Sequence, residues 1–303
     1  GNDDFNMALD KIEAAITPRT KVIMPVDVSG FPCDYDEIMT MVIKHQKLFN
    51  PSNENQQKLG RILIASDAAH SFGALYKGKR SGSLADVSCF SFHAVKNLTT
   101  AEGGAVCFNF PDDFDHDQIY SDFVTITLHG QSKDALAKTK KGAWKYDVFT
   151  PGYKCNMTDI QAAIGLVELD RYDENLDRRK TIFSAYESAF STESWAILPS
   201  HTNSAKTSSY HLYLLRINGI TESERDAIIQ EIFEQDVSVN VHFQPLPLLT
   251  AYKNLGYDIS DYPVAHNKYQ SEITLPVYYT LTDKQIKQVI DAVKNAVKKI
   301  RTA

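Results

Sequence analysis

The chain has 303 residues, of which 43% are hydrophobic and 23% charged, and its formal net charge is -6. This composition is typical of a globular protein, and the length is enough for two domains of about 150 residues each. Because the chain is acidic and has no long run of Lys and Arg, we expect neither nucleic acid nor a membrane surface as its partner. No apolar run approaches the roughly 20 residues that span a bilayer.

Cysteine use also excludes some classes of site. Cys33, Cys89, Cys107 and Cys155 are far apart and form no CxxC pair, so neither a zinc site nor a disulfide framework is predicted, and we expect no metal. The first residues, GNDDFNMALDKI, have no basic-then-apolar signal pattern. We therefore expect a cytoplasmic protein.

Apolar runs of strand length alternate with a helical pattern in the first part of the chain. Between the first two runs, residues 34–49 place Ile38, Val42 and His45 or Leu48 on one helical face. The predicted strands are 21–26, 61–66, 87–92 and 104–109. We expect the first two to be buried and parallel, as in an α/β sheet built from crossover units.

The pattern changes after about residue 110. Residues 130–144 are polar and lysine-rich, which predicts a loop or a short exposed helix. Residues 158–190 predict a long helical stretch, and Thr158 and Gln161 have the spacing of a capping box at its start.

The last hundred residues read as a smaller α+β unit. They contain two strand-like runs, HLYLLRI and VSVNVHF, and the amphipathic pattern TDKQIKQVIDAVKNAVKKI, which predicts a closing helix. We expect a large domain at residues 1–170 and a small C-terminal domain at residues 171–303.

Two polar residues mark the ends of predicted strands. Lys96 follows a strand in CFSFHAVKNLTTAEGGAV, where an amine can be partly desolvated and nucleophilic. Asp67 ends another strand, and ligands bind at the carboxyl ends of parallel strands. Alone, the lysine is more typical of a solvated surface and the aspartate of a helix cap. Together, about thirty residues apart, they fit a Schiff-base lysine and the partner of a pyridinium nitrogen.

The segment DAAHSFGALYKGKRSGSLADVSCFSFHAVKNLTTAEGGAV resembles the core of the DegT/StrS family of nucleotide-sugar aminotransferases. The likeness continues through TPGYKCNMTDIQAAIGLVEL, YHLYLLRI, VHFQPLP and LPVYYTLTDKQIKQVI, and so covers nearly the whole chain. The details DAAH, FSFHAVKNLTTAEGG and PGYKCNMTDI are similar to the branch that aminates UDP-linked 4-keto sugars, which includes the enzyme making UDP-4-amino-4-deoxy-L-arabinose.

The resemblance implies an α/β fold of the aspartate-aminotransferase type, with a mixed, mostly parallel sheet in an incomplete large domain and a small α+β domain. It implies a pyridoxal 5'-phosphate enzyme that transfers an amino group from an amino acid, glutamate, to the keto carbon of a nucleotide-linked sugar. A homodimer and a part in cell-surface polysaccharide biosynthesis are also implied.

Five residues receive roles by position in the family motif. Lys96 would form the Schiff base and later move a proton, and Asp67 would keep the pyridine nitrogen protonated. Ala69 would lie flat under the ring, and His70, where many relatives have glutamine, would hydrogen-bond near the phenolic oxygen. Ser91 would donate to the phosphate. A lone histidine is otherwise more often a packing residue, and Ser91 could merely fill a strand end.

Four further residues are candidates only. Lys154 takes a position that in relatives is often an asparagine reaching across a dimer interface to the phosphate, so Lys154 and Asn156 are cofactor-binding candidates. His93 and His129 are candidates for lining the sugar-nucleotide site.

The chain differs from the family pattern at its start. The residues FNMALDKIEAAITPRTKVIMPVD resemble the middle of the usual large domain, so we expect about the first hundred residues of such an enzyme, with a phosphate-binding loop at a helix N-terminus, to be absent. Either a fragment or a truncated relative fits. The alternative function is a catalytically silent module for binding or structure. Lys96 argues against a related dehydratase subgroup, in which histidine replaces the lysine.

Overall fold

The computed structural model describes residues 4–132 and 146–302. Its α-helices are α1 Leu9–Ala15, α2 Tyr35–Lys44, α3 Glu54–Leu59, α4 His116–Thr127, α5 Asp159–Asp170, α6 Tyr172–Phe190, α7 Glu222–Phe233, α8 Thr250–Lys253, α9 Pro263–Ser271 and α10 Asp283–Thr302. Its strands are β1 Val22–Ile23, β2 Leu63–Asp67, β3 Leu75–Tyr76, β4 Lys79–Arg80, β5 Val87–Ser91, β6 Gly104–Phe108, β7 Ala196–Ile197, β8 Lys206–Thr207, β9 Tyr213–Ile217 and β10 Glu272–Leu275.

A four-stranded sheet in the order β1-β2-β5-β6 organises the first part of the chain. The β1–β2 and β2–β5 pairs are parallel, whereas β5 and β6 are antiparallel. This confirms the predicted α/β fold with a mixed, mostly parallel sheet. The predicted strand at 21–26 shortens to Val22–Ile23 because Pro25 has no N–H to donate; its carbonyl instead accepts from Asp67 N at 2.9 Å.

The helix predictions are confirmed with two refinements. Helix α2 buries Ile38 and Val42 as expected, but it ends at Lys44 and Leu48 is 44% exposed. The helical stretch at 158–190 is divided into α5 and α6, which meet at Arg171. The predicted capping box at the start of α5 is present.

A second sheet lies in the C-terminal part, with the antiparallel order β10-β9-β7. Its apolar core includes side chains from α6, α7, α10 and these strands. The predicted run HLYLLRI contains β9, and the closing helix is α10. The strand predicted at VSVNVHF is wrong: only Asn240 bridges Thr274, and the Asn240 side chain accepts from Val241 N–H, a local bond that competes with a ladder.

Contacts between distant segments join the two parts of the chain. Strand β3 pairs with β8 at its edge, and the buried Lys206 on β8 forms an ion pair at 2.7 Å with the partly exposed Asp34. The predicted boundary between residues 170 and 171 stays a prediction. Most of the predicted loop at 130–144 lies outside the described residues. Among residues 4–132 and 146–302, no helix combines the length and the apolar character needed to cross a membrane.

Candidate active site

Asp67 occupies the carboxyl end of β2, as the sequence predicts. It pairs in register with Cys89 on the neighbouring strand β5, and its backbone oxygen accepts from Asp27 N at 3.2 Å. Its carboxylate oxygen Oδ1 accepts from the backbone N–H of Ala69 at 3.1 Å. Backbone pairing and this side-chain bond together fix the carboxylate at the sheet edge where ligands of α/β proteins bind.

A buried carboxylate fixes the segment that follows Asp67. Asp27 is fully buried and accepts hydrogen bonds from Ser71 Oγ at 2.7 Å, Tyr35 OH at 2.9 Å and Cys33 N at 2.8 Å. Burial raises the pKa of Asp27, whereas these three donors favour its charged form and oppose the rise. The bond to Ser71 anchors the residues between Asp67 and Ser71.

Lys96 lies in the turn that joins β5 to β6. Its backbone N–H donates to His93 O at 2.9 Å, which sets the turn, and its side chain is half-buried. Burial lowers the pKa of the Lys96 amine, and the nearby carboxylate of Asp67 opposes that shift. The chain returns through Gly104, where a Cβ atom would lie only 2.5 Å from Phe90 O. The charge of Asp67 thus acts on the Lys96 amine, in agreement with the prediction that the two residues serve one site.

Two neutral imidazoles lie beside this turn. The rings of His70 and His211 have centroids 4.5 Å apart, and Nδ1 of His211 lies 2.8 Å from Oδ1 of Asn97. Burial, reinforced by the Lys96 ammonium, lowers the pKa of His70 to about 3. Burial also lowers the pKa of His211 well below its usual value, with a contribution from His70. Both rings are thus neutral near pH 7.

A third histidine completes the cluster. Phe243 stacks on His70 at a centroid distance of 5.9 Å, and the adjacent His242 ring lies 4.7 Å from the Phe243 ring. Burial lowers the pKa of His242, and the Lys96 ammonium adds to this effect. Sequence reasoning assigned no role to Asn97, His211 or His242. Asn97 adjoins the lysine, and the two histidines stand in segments, YHLYLLRI and VHFQPLP, that carried the family resemblance.

A cleft of about 270 Å³ opens at the strand ends. Three predicted residues, Asp67, Ala69 and Ser91, line it. The other lining residues are Met24, Ala65, Ser66, Cys89 and Phe90. Ser91 Oγ accepts from His93 N–H at 3.3 Å, and the exposed His93 ring lies 3.5 Å from a carboxylate oxygen of Glu102.

The remaining candidates form a separate group. The ammonium of Lys154 donates to the side-chain oxygen of Asn156, and both residues are exposed. His129 is also exposed, and its backbone N–H donates to Tyr153 O at 2.8 Å. The backbone bond joins His129 to the segment that contains Lys154. None of these contacts involves Lys96 or Asp67.

The donor set fits pyridoxal 5'-phosphate. Nδ1 of His70 is buried and has no hydrogen-bond partner among the residues that the structure describes, which leaves it available to a polar group of a bound molecule. The half-buried amine of Lys96, the carboxylate of Asp67 and the hydroxyl of Ser91 can meet an aldehyde, a ring nitrogen and a phosphate. Within the same described residues, no group of three or more His, Cys, Asp or Glu side chains could hold a metal ion.

Another groove, of about 330 Å³, is mostly apolar and lies between α3, α4 and the β1–β2 edge. Phe110, Phe114, Phe123 and Ile126 are among its lining residues. None of the predicted site residues lines it. The candidate active site is therefore the strand-end region around Asp67 and Lys96.

The chain is similar to known sugar aminotransferases. A solved structure of Spr1654 from Streptococcus pneumoniae, assigned as a sugar aminotransferase in its PMP form, superposes with a TM-score of 0.94 at 47% identity, covering 99% of this chain and 75% of that one. The same protein is also solved in a PLP form.

Two curated relatives are similar over most of the chain. The spore coat polysaccharide biosynthesis protein SpsC of Bacillus subtilis is 35% identical, over 98% of this chain and 72% of that protein. GDP-perosamine synthase of Caulobacter vibrioides is 32% identical, over 95% and 69%. These relatives give no support to the narrower UDP-4-amino-4-deoxy-L-arabinose branch.

The sequence profile of the DegT/DnrJ/EryC1/StrS aminotransferase family matches residues 1–294. The sugar aminotransferase relatives and the α/β fold agree with this match. The chain therefore belongs to the DegT/DnrJ/EryC1/StrS family of sugar aminotransferases, whose cofactor is pyridoxal 5'-phosphate.

Proposed function

We propose that this protein transfers an amino group from glutamate to the keto carbon of a nucleotide-linked sugar, and that Lys96 and Asp67 are its catalytic residues. The observation that carries the proposal is the half-buried amine of Lys96, with its lowered pKa, beside the carboxylate of Asp67. The nucleotide linkage is supported by the similarity to GDP-perosamine synthase.

Pyridoxal 5'-phosphate, when bound, supplies an electron sink for the charge that develops at the α-carbon of the amino donor. Because burial lowers the pKa of Lys96, a larger fraction of its amine is neutral near pH 7. A neutral Nζ can bond to an aldehyde carbon and, once released, can take a proton from a nearby carbon. Lys96 is thus suited both to hold the cofactor and to move the proton.

Asp67 provides the complementary charge. Its carboxylate is held by the backbone N–H of Ala69 and opens onto the cleft, so it can keep a proton on a pyridine nitrogen. Charge that is fixed before the reaction needs no reorganisation during it. The methyl side chain of Ala69 leaves room for a flat ring. Nδ1 of His70 is available to the phenolic oxygen, and the Ser91 hydroxyl to the phosphate.

Four further candidates would bind parts of the cofactor and substrate that lie away from the reacting atoms. Lys154 and Asn156 would bind the cofactor phosphate, and His93 and His129 would contact the sugar nucleotide. Their side chains are exposed and therefore accessible to a ligand or a second subunit. A homodimer, and a part in cell-surface polysaccharide biosynthesis, the process named for SpsC, belong to the same proposal.

The proposal is tested by incubating the purified protein with pyridoxal phosphate, glutamate and nucleotide-linked keto sugars, and then analysing the sugar by mass spectrometry. We expect an aminated product, its loss in Lys96→Ala, and its retention in the control Lys79→Ala, which changes an exposed lysine on β4. Cofactor binding without product from any keto sugar would contradict the proposal and favour a silent binding module.

A further inference from the structure

A buried carboxyl group connects to the His242 ring through one hydroxyl. Oγ1 of Thr274 lies 2.5 Å from Oε1 of Glu272 and 2.9 Å from Nδ1 of His242. The other carboxyl oxygen, Oε2, accepts the backbone N–H of His242 at 2.8 Å. Glu272 is completely buried at the start of β10. The three side chains form a continuous chain, Glu272–Thr274–His242.

The Thr274 hydroxyl has one proton, and only two arrangements of hydrogen bonds use that proton between Glu272 and His242. When Glu272 is ionised, the hydroxyl donates to Oε1 and must accept from His242, which places the ring proton on Nδ1. When Glu272 is protonated, it donates to Oγ1, the hydroxyl donates to His242 Nδ1, and the ring proton is on Nε2. In the first arrangement Nε2 is an acceptor, and in the second it is a donor.

We propose that Glu272 and Thr274 are positioning residues that decide which ring nitrogen of His242 carries the proton. The ring belongs to the site because His242 contacts Phe243, which stacks on His70, and because the Lys96 ammonium acts on it. The catalytic meaning of this assignment depends on the proposed function. The hydrogen-bond chain itself does not.

The charge state of Glu272 selects the arrangement. Burial raises the pKa of Glu272 to about 8, although the Thr274 hydroxyl, the His242 N–H and the Arg225 guanidinium oppose the rise.

Two arginines lie near Glu272. Arg225, on α7, donates to the backbone oxygen of Glu272 at 3.3 Å and lies over the Tyr269 ring. Arg216 is the partner of Glu272 on β9. His242 is neutral near pH 7, so a change of tautomer there needs no change of its charge.

We therefore expect the tautomer of His242 to change with pH. Near neutral pH Glu272 holds its proton, and Nε2 of His242 is a donor. As the pH rises through about 8, Glu272 ionises and the proton moves to Nδ1. Nε2 then becomes an acceptor, on a ring whose pKa the charge of Lys96 already influences. We infer that an acceptor there helps to guide a proton to or from that amine.

The test is nitrogen NMR of the histidine-labelled protein without added cofactor, over neutral to alkaline pH. The His242 signals are identified by their loss in His242→Gln. Pyrrole-type and pyridine-type ring nitrogens resonate far apart, so we expect Nδ1 of His242 to change from pyridine-type to pyrrole-type. The same tautomer throughout the titration would overturn the proposal.

Matched variants separate positioning from folding. Glu272→Gln cannot titrate, and Thr274→Val keeps the shape but lacks the hydroxyl, so we expect the pH-dependent change to vanish in both. Thr274→Ser retains the hydroxyl and should restore it. Persistence of the change in Thr274→Val, or its absence in Thr274→Ser when that variant is folded, would contradict the assignment.

A kinetic experiment tests whether the Glu272–Thr274–His242 hydrogen bonds affect catalysis. It also distinguishes failure of this proposal from failure of the proposed aminotransferase function. In the active protein, Glu272→Gln should remove a limb near pH 8 from the kcat profile while leaving the KM for glutamate nearly unchanged. An unchanged kcat profile would overturn the positioning role in catalysis. Absence of any amino transfer with an intact NMR titration would refute the proposed function and leave the hydrogen-bond chain in place.

Discussion

Oδ1 of Asn97 lies 2.8 Å from Nδ1 of His211, and Nδ2 of Asn97 donates to Ser209 O at 2.7 Å. The residue next to the candidate lysine is therefore held by a segment more than a hundred positions further along the chain. Because the His211 ring also contacts His70, the position of Lys96 depends on packing between distant segments.

Replacing Asn97 by alanine should lower both stability and activity. Asn97 is buried, and its loss leaves the Ser209 carbonyl and the His211 ring without their partner. A buried polar group left unsatisfied costs about 1–3 kcal/mol, so we expect a lower free energy of unfolding in urea. The exposed residue Asn50 provides the control, Asn50→Ala, for which little change is expected. Equal stability of the two variants would refute this account of the turn.

Asp67→Asn should leave attachment of the cofactor to Lys96 intact but slow amino transfer by several powers of ten. The amide keeps the shape of the side chain and loses the fixed charge, which commonly supplies several kcal/mol of barrier lowering. Single-turnover kinetics with glutamate would measure the slowed step separately from cofactor binding. Near-normal turnover would exclude the proposed role of Asp67.

The raised pKa of Glu272 predicts a pH dependence of stability. A carboxyl group whose pKa is higher in the folded protein contributes most below its ordinary pKa, and the contribution falls as pH rises through the folded value. Relative to Glu272→Gln, the wild-type free energy of unfolding should therefore fall between about pH 5 and about pH 8 and then level off. Urea denaturation of both proteins at a series of pH values measures the difference. A difference that rises over this range would give Glu272 the opposite shift.

The buried Asp27 should be sensitive to truncation. Asp27→Ala removes the common acceptor of Ser71, Tyr35 and Cys33, whereas Asp27→Asn retains one acceptor oxygen. We expect the alanine variant to unfold at lower denaturant concentration than the asparagine variant, with cofactor affinity following the same order because the segment after Asp67 is anchored there. Identical unfolding midpoints for the two variants would contradict this role.

Asp67 and Lys96 could be predicted from the sequence because both follow apolar runs that are recognisable as strands. Apolar runs locate β2 and β5, and the residues at their carboxyl ends meet because parallel strands end at one sheet edge. Asp67 and Lys96 could be placed together on that basis. The lowered pKa of Lys96 then follows from its half-buried turn.

The histidine cluster could not be predicted in the same way. His211 and His242 reach His70 through a fold in which β3 pairs with β8 and the 242–243 segment lies against β10. No local periodicity encodes contacts between such distant segments. The false strand at VSVNVHF has the same origin, since Val237 and Val239 pack against the C-terminal core while Asn240 makes the segment's only bridge.

The central claim, that Lys96 is the cofactor-bonding amine, is tested most directly by borohydride reduction of the protein with pyridoxal phosphate, followed by peptide mapping. Reduction makes the carbon–nitrogen link permanent, so the account predicts a pyridoxyl group on the peptide that contains Lys96 and none there in Lys96→Arg. A label confined to any other lysine, or none on Lys96, would contradict the account.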